Sequence, residues 1–88
     1  MKYTPPSPSD LARLKANLGM TGKEMAGLFG LAGDQQWRKY TGGQDPRPMS
    51  AQMLFFAISR LELDEASIRR VLDRMRQSGA QITFDDES

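Results

Sequence analysis

The sequence predicts an all-α protein, a compact bundle of about five short helices. Three observations lead to this prediction. Apolar residues recur at helical spacing, glycine and proline separate the periodic stretches, and no strong strand pattern lies between them. The 88 residues make only one domain, because two cores of useful size would not fit in a chain of this length. We expect a flexible Pro-rich N-terminus, a helical domain and a C-terminal tail, which cover residues 1–8, 9–79 and 80–88 respectively.

The first two helices are predicted from the residues that cap them. Ser9 is expected to cap the first helix, which ends at Gly19. Thr21 and Glu24 form a capping-box pattern at the start of the second helix, and Gly30 ends it. The apolar faces consist of Leu11, Leu14 and Leu18 in the first helix and of Met25, Ala26, Leu28 and Phe29 in the second.

The third helix is predicted to be short. Asp34 is expected to cap it, and two glycines end it after Thr41. Trp37 and Tyr40, three residues apart, are expected to anchor it in the core. Residues 44–48 then cannot be helical, because two of them are prolines.

Two further helices follow the prolines. Ser50 is expected to cap the fourth, from about Ala51 to Leu61, and the aromatic content of this stretch predicts that it is the central core helix. Asp64 starts the fifth helix and Gly79 ends it. One face of the fifth helix carries Ile68, Val71, Leu72 and Met75.

The C-terminal tail differs in charge from the rest of the chain. Residues 80–84 alternate apolar and polar side chains, which predicts a short strand or a docking arm. Residues 85–87 are all acidic. Residues 1–79 hold all twelve lysines and arginines against eight acids, a net charge of +4, whereas the whole chain carries +1. A moderately basic body with an acidic tail permits nucleic-acid binding.

The chain contains neither cysteine nor histidine. This excludes disulfides and thiolate zinc sites, and it removes the commonest metal ligand and general base. We therefore expect no metal, no cofactor and no enzymatic activity. No apolar run approaches the roughly 20 residues of a membrane span, and the N-terminus has no apolar stretch typical of a signal peptide. We expect a cytoplasmic protein without a membrane partner.

Residues 21–43 contain the pattern that a helix-turn-helix requires. The small Ala26 lets two helices approach closely, and Gly30 four residues later permits a sharp turn. Trp37 and Tyr40 anchor the next helix, which leaves its opposite face free for a DNA major groove. Glutamine pairs with adenine and arginine with guanine, so this helix carries side chains suited to reading bases. The polar residues available to the groove are Gln35, Gln36, Arg38, Lys39 and Thr41.

The stretch from Leu11 to Leu63 resembles the lambda-repressor-like helix-turn-helix family, which includes the Cro/repressor and XRE proteins. The matching segments are residues 18–26, residues 28–30 and residues 37–43 with the proline that follows. In that family the third helix is the recognition helix, so the resemblance implies base contacts by Gln35, Gln36, Arg38 and Lys39. It implies phosphate contacts by Thr21, Lys23, Thr41, Gln44 and Arg47.

Three features depart from the family pattern. Gly22 stands where a glutamine is common, so one phosphate contact is absent. The connection before the third helix is one residue longer than usual, and Thr41 stands where an acidic residue usually follows the aromatic one. The variant pattern Gly-Asp-x-x-Trp-Arg-x-Tyr resembles a subgroup of small phage and prophage regulators, including regulators associated with anti-CRISPR genes.

The leading hypothesis is a transcriptional repressor or autoregulator that binds an inverted repeat in double-stranded DNA as a homodimer. One such module contacts too few base pairs for useful genomic specificity, and a duplicated half-site corrects this. The fifth helix and the tail are the candidate dimer surface. A second hypothesis is an antitoxin of a toxin–antitoxin pair, or an anti-CRISPR-associated autoregulator, with a toxin or regulator as its protein partner. A third is a protein-interaction module that has lost DNA binding, which Gly22, the low net charge and the acidic tail favour.

Overall fold

A computed structural model describes residues 1–84, and in this part of the chain it contains five helices and no strand. The predicted all-α fold class is thereby confirmed. The helices are α1 (Pro8–Leu18), α2 (Gly22–Leu28), α3 (Asp34–Thr41), α4 (Ala51–Glu62) and α5 (Glu65–Gln77). Two compact units are formed, Met1–Ile58 and Ser59–Ser88, and the boundary between them falls within α4. The acidic end predicted at residues 85–87 lies outside the described residues.

The first helix begins earlier than the sequence predicts. The Ser7 hydroxyl accepts a hydrogen bond from the Asp10 backbone N–H at 3.0 Å, and the Asp10 carboxylate accepts one from the Ser7 N–H at 2.9 Å. Pro8 is the first helical residue, where the N–H that proline lacks would have no partner within the helix. The prediction of Ser9 as the capping residue is therefore wrong. Before Ser7, the Tyr3 hydroxyl donates a hydrogen bond to the Met49 carbonyl oxygen at 2.7 Å.

The turn that ends α2 is closed by backbone hydrogen bonds. The Leu31 N–H donates to the Ala26 carbonyl oxygen at 2.8 Å, and the Gly30 N–H donates to the Gly27 carbonyl oxygen at 3.2 Å. This pattern places Gly30 in the left-handed region, at a φ of 73°. A Cβ on Gly30 would also lie 3.3 Å from the Phe56 ring. Glycine therefore meets the backbone requirement of this turn, as the sequence predicts, and the structure adds a packing requirement set by Phe56.

The first unit has a continuous apolar core around α2 and α3. α3 packs on both α1 and α2, and it packs more extensively on α2. This arrangement is a helix-turn-helix at α2 and α3. The buried members of the core are Leu11, Met25, Ala26, Leu28, Phe29, Trp37, Met49 and Ala57.

α4 is not the central core helix that its aromatic content predicts. Ser50 caps it as expected, because the Ser50 hydroxyl accepts a hydrogen bond from the Met53 N–H at 3.1 Å. However, Ala57 is the only residue of α4 that is buried, and the Phe55 side chain is 76% exposed. Hydrophobicity alone does not reveal which side of a helix packs, and Phe55 and Ala57 lie on nearly opposite sides.

The second unit contains the end of α4, α5 and the segment that follows. The Asp64 carboxylate caps α5 by accepting a hydrogen bond from the Ser67 N–H at 2.8 Å. Residues 80–84 form no strand, so the strand alternative for this segment is wrong. Instead, the Arg76 guanidinium donates to the Ile82 carbonyl oxygen at 2.8 Å, and the Phe84 ring centre lies 4.5 Å from the guanidinium carbon of Arg60.

None of the helices described here has the length and apolar character needed to cross a membrane.

Candidate nucleic-acid interface

One face of α3 lies in the core of the first unit. Trp37 is 2% exposed, and its ring centre lies 5.1 Å from that of Phe29 with the two planes inclined by 41°. Tyr40, one turn later, is half-buried against the same core. Both residues anchor α3, as their spacing predicts. Because Phe29 directly follows the last residue of α2, the contact with Trp37 holds α3 against the end of α2.

The opposite face of α3 presents polar side chains. Gln35, Arg38 and Lys39 are all exposed, and their spacing of three and four residues places them on one face of the helix. Gln36 is half-buried at the edge of this face. Three of the four residues predicted to contact bases are therefore exposed side by side, and the fourth is partly covered.

The loop after α3, residues 42–47, is hydrogen-bonded to the helix. The Arg47 backbone N–H donates a hydrogen bond to the Lys39 carbonyl oxygen at 2.7 Å. The Arg47 guanidinium carbon lies 6.0 Å from the centre of the Tyr40 ring, at the outer limit of a cation–π contact. These contacts keep the Arg47 side chain beside the exposed face of α3, although the loop has no helical structure of its own.

A shallow groove lies between the exposed face of α3 and this loop, and we call it the α3 groove. Five of the residues predicted to contact DNA line it: Gln35, Arg38, Lys39, Gln44 and Arg47. The rest of the lining consists of Gly42, Gly43 and Asp45. The lining contains three basic side chains and one acidic side chain, so the α3 groove is positively charged. Such a surface favours a ligand that carries phosphates.

Four predicted contact residues do not line the α3 groove: Gln36, Thr21, Lys23 and Thr41. Thr21 caps α2, because its hydroxyl accepts a hydrogen bond from the Glu24 N–H at 3.1 Å. In return, the Thr21 N–H donates to the Glu24 carboxylate at 3.0 Å. The pKa of Glu24 lies below its ordinary value. The hydrogen bond from the Thr21 backbone is the largest cause, and the Thr21 side chain is the second. Lys23 is exposed in the first turn of α2, and Thr41 is half-buried at the end of α3.

The role of Asp34 is different from the predicted one. Gly33, rather than Asp34, is the N-cap of α3, and no side chain caps this helix. Asp34 is the first helical residue, and its Oδ2 atom lies 3.0 Å from Nη2 of Arg38 in an ion pair. The prediction of Asp34 as the capping residue is therefore wrong. The spacing of four residues between an acid and an arginine is the sequence signal that could have revealed the pair.

Gly22 lies against the same carboxylate. A Cβ on Gly22 would overlap Oδ1 of Asp34, so a side chain does not fit there while Asp34 keeps its position. The two carboxylate oxygens therefore face different neighbours, with Oδ1 towards Gly22 on α2 and Oδ2 towards Arg38 on α3. Glycine in place of the glutamine of the resembled pattern makes room for Asp34.

No family model, no curated protein and no solved structure matches this chain. Its function is therefore inferred from the geometry of the described residues and from the chemistry that they can perform.

Proposed function

We propose that this chain is a non-enzymatic, sequence-specific DNA-binding protein, a cytoplasmic transcriptional repressor or autoregulator that inserts α3 into the major groove. The proposal follows the lambda-repressor-like family that the sequence resembles. The observation that carries it is the division of α3 into a face anchored by Trp37 and a face that presents Gln35, Arg38 and Lys39. Its eight residues span about 12 Å, a length that the major groove accommodates.

The side chains divide into base readers and backbone contacts. Arg38 has the donor pair that matches O6 and N7 of guanine, and Gln35 has the donor and acceptor that match adenine. We assign Lys39 and the half-buried Gln36 to the same recognition surface. Arg47 and Gln44 flank the helix and suit phosphate contacts, which fix register without reading sequence. The proposed phosphate contacts also include Thr21, Lys23 and Thr41.

The proposal includes a homodimer on an inverted repeat, without a cofactor. A single α3 reads only a few base pairs, and two symmetry-related copies double the number of base pairs that are read. Exposed apolar side chains favour a partner surface. In the second unit, α5 presents Val71, which is 50% exposed, together with the partly exposed Met75, and Leu63 is exposed just after α4.

A second candidate function is the binding of a different protein, as in an antitoxin or an interaction module. The observation that favours it is Phe55, a large apolar ring that is 76% exposed on α4. A stable complex with an unrelated protein, formed without any duplex, would support this candidate.

The test is a selection of binding sites from a random duplex library at near-physiological salt. We expect an enriched inverted repeat, because each subunit presents the same α3 face to its half-site. An unenriched pool, obtained with protein that is shown to be folded, would contradict the proposal and favour a protein partner.

A matched pair of variants then tests the role of α3. Arg38 and Arg13 are both exposed, at 72% and 67%, and each pairs with an aspartate on its own helix. Arg38→Ala should weaken binding to the selected site by roughly 1–3 kcal/mol, whereas Arg13→Ala should leave it nearly unchanged. Equal effects of the two variants would show that Arg38 does not read a base.

A further inference from the structure

We propose that Asp34 is a positioning residue that orients the Arg38 guanidinium towards one base pair, and so sets the sequence preference there. This inference rests on the proposed function and deepens it. The carboxylate of Asp34 contacts two elements at once, because Oδ1 lies against Gly22 and Oδ2 pairs with Nη2 of Arg38 at 3.0 Å. A residue that acts only as a helix cap would not hold an arginine on the recognition face.

The position of the carboxylate is restricted by its close approach to Gly22. Its side chain is 38% exposed and rests against the Gly22 backbone, whereas the Arg38 side chain is 72% exposed. Asp34 is also the first residue of α3, where the helix dipole favours a negative charge. The aspartate is therefore the fixed member of the pair, and Arg38 is the long side chain that it orders. An arginine ordered before binding loses less conformational freedom when it meets a base.

The pair also affects which part of DNA Arg38 can contact. The ion pair joins one carboxylate oxygen to one guanidinium nitrogen, so the remaining N–H donors stay available for the two acceptors of guanine. A negative charge beside Arg38 repels phosphate oxygens, so the arginine is disfavoured as a backbone contact. Asp34 thus lowers general DNA affinity and raises discrimination at one base pair.

The experiment measures a discrimination ratio for each base pair of the selected half-site. This ratio is the Kd for a duplex with that pair replaced, divided by the Kd for the selected duplex. Arg38→Ala identifies the pair that Arg38 reads, because the ratio there should fall roughly tenfold or more. Asp34→Ala should lower the ratio at the same base pair and at no other, while affinity for random duplex rises because a charge that repels phosphate is removed. The double variant, with both Asp34 and Arg38 replaced by alanine, should lower the discrimination ratio no further than Arg38→Ala alone.

Asp10→Ala is the matched control. Asp10 lies in the first turn of α1 and pairs with Arg13 three residues later, at 2.9 Å, so its removal takes the same charge from the first turn of a helix outside the candidate dimer surface. It should leave every discrimination ratio unchanged. Thermal unfolding of each variant shows whether it is folded at the temperature of the binding assay.

The possible outcomes separate this inference from the proposed function. If wild-type protein selects no sequence, the proposed function fails and the inference fails with it. If it selects a site but Asp34→Ala keeps the ratio at the Arg38 base pair, only the inference is overturned. A uniform loss of affinity over all sequences would assign Asp34 a structural role and would overturn the inference as well. An Arg38→Ala variant that lowers the discrimination ratio at no base pair would also overturn the inference.

Discussion

The rings of Phe29 and Trp37 lie 5.1 Å apart and join the end of α2 to the middle of α3. Both side chains are buried, so their contact is part of the core. The orientation of the exposed face of α3 depends on this contact, because Gln35, Arg38 and Lys39 lie on the side of the helix away from Trp37. The contact between Phe29 and Trp37 therefore contributes both to the stability of the core and to the orientation of the proposed recognition surface.

We expect Trp37→Ala to lower the free energy of unfolding by about 3–5 kcal/mol, since it removes the largest side chain of a small core. Urea unfolding followed by far-UV circular dichroism measures the change. Trp37→Phe keeps a ring beside Phe29 and should cost clearly less. Equal losses for the two variants would contradict the importance of the ring contact.

The close approach of Gly22 to Asp34 gives a second prediction, for which α2 contains its own control. Gly22→Ala places a Cβ on the Asp34 carboxylate and should destabilise the protein by about 1–3 kcal/mol. Gly27→Ala, in the same helix, meets nothing within 4 Å and should stabilise it by about 0.5–1 kcal/mol through helix propensity. Thermal or urea unfolding of both variants checks the opposite signs. A stabilising Gly22→Ala would show that the carboxylate moves away freely.

Local signals in the sequence predict most of the helix boundaries. The capping box of Thr21 and Glu24 and the cap at Asp64 involve residues three apart, so the sequence alone contains the interaction. The start of α1 is harder to predict, because Ser7 and Ser9 both precede the same apolar stripe. The preference of proline for the first helical position favours Ser7 as the cap.

Contacts between elements are much less predictable. The spacing of Trp37 and Tyr40 predicts which face of α3 is exposed. The hydrogen bond from the Arg47 N–H to the Lys39 carbonyl oxygen depends on the path of a loop, which no periodicity encodes. The contact of Asp34 with Gly22 brings together residues twelve positions apart, and only the packing of α2 on α3 reveals it.

The hydrogen bond between Tyr3 and Met49 leads to a prediction about the N-terminal segment. Tyr3→Phe removes only the hydroxyl that donates to the Met49 carbonyl oxygen at 2.7 Å. It should lower the free energy of unfolding by about 0.5–1.5 kcal/mol, because the carbonyl of a buried residue loses its donor. Tyr3→Ala also removes the ring and should cost more. An unchanged urea midpoint for Tyr3→Phe would mean that water replaces the hydroxyl without loss.

The lowered pKa of Glu24 predicts acid sensitivity at the start of α2. Its folded pKa lies below the unfolded value, chiefly because the Thr21 backbone N–H donates to the carboxylate. The stabilisation is therefore present above the unfolded pKa and is lost as the pH falls through the folded pKa. We expect wild type to exceed Glu24→Gln in stability at pH 7 and the difference to shrink below about pH 5. Urea unfolding of both proteins at pH 7 and pH 3 measures it, and a difference that grows in acid would contradict the assignment.

Arg47 provides a test of phosphate contact that is independent of base reading. Arg47→Ala keeps the backbone N–H that binds the Lys39 carbonyl oxygen, so the loop should keep its place beside α3. We expect binding to weaken by a similar factor for the selected site and for random duplex, and the slope of log K against log salt to fall by about one. Arg13→Ala on α1 removes the same charge outside the α3 groove and should leave the slope unchanged. Titrations at three or more salt concentrations check both variants. A loss confined to the selected site would instead assign Arg47 to a base, because only base contacts distinguish one sequence from another.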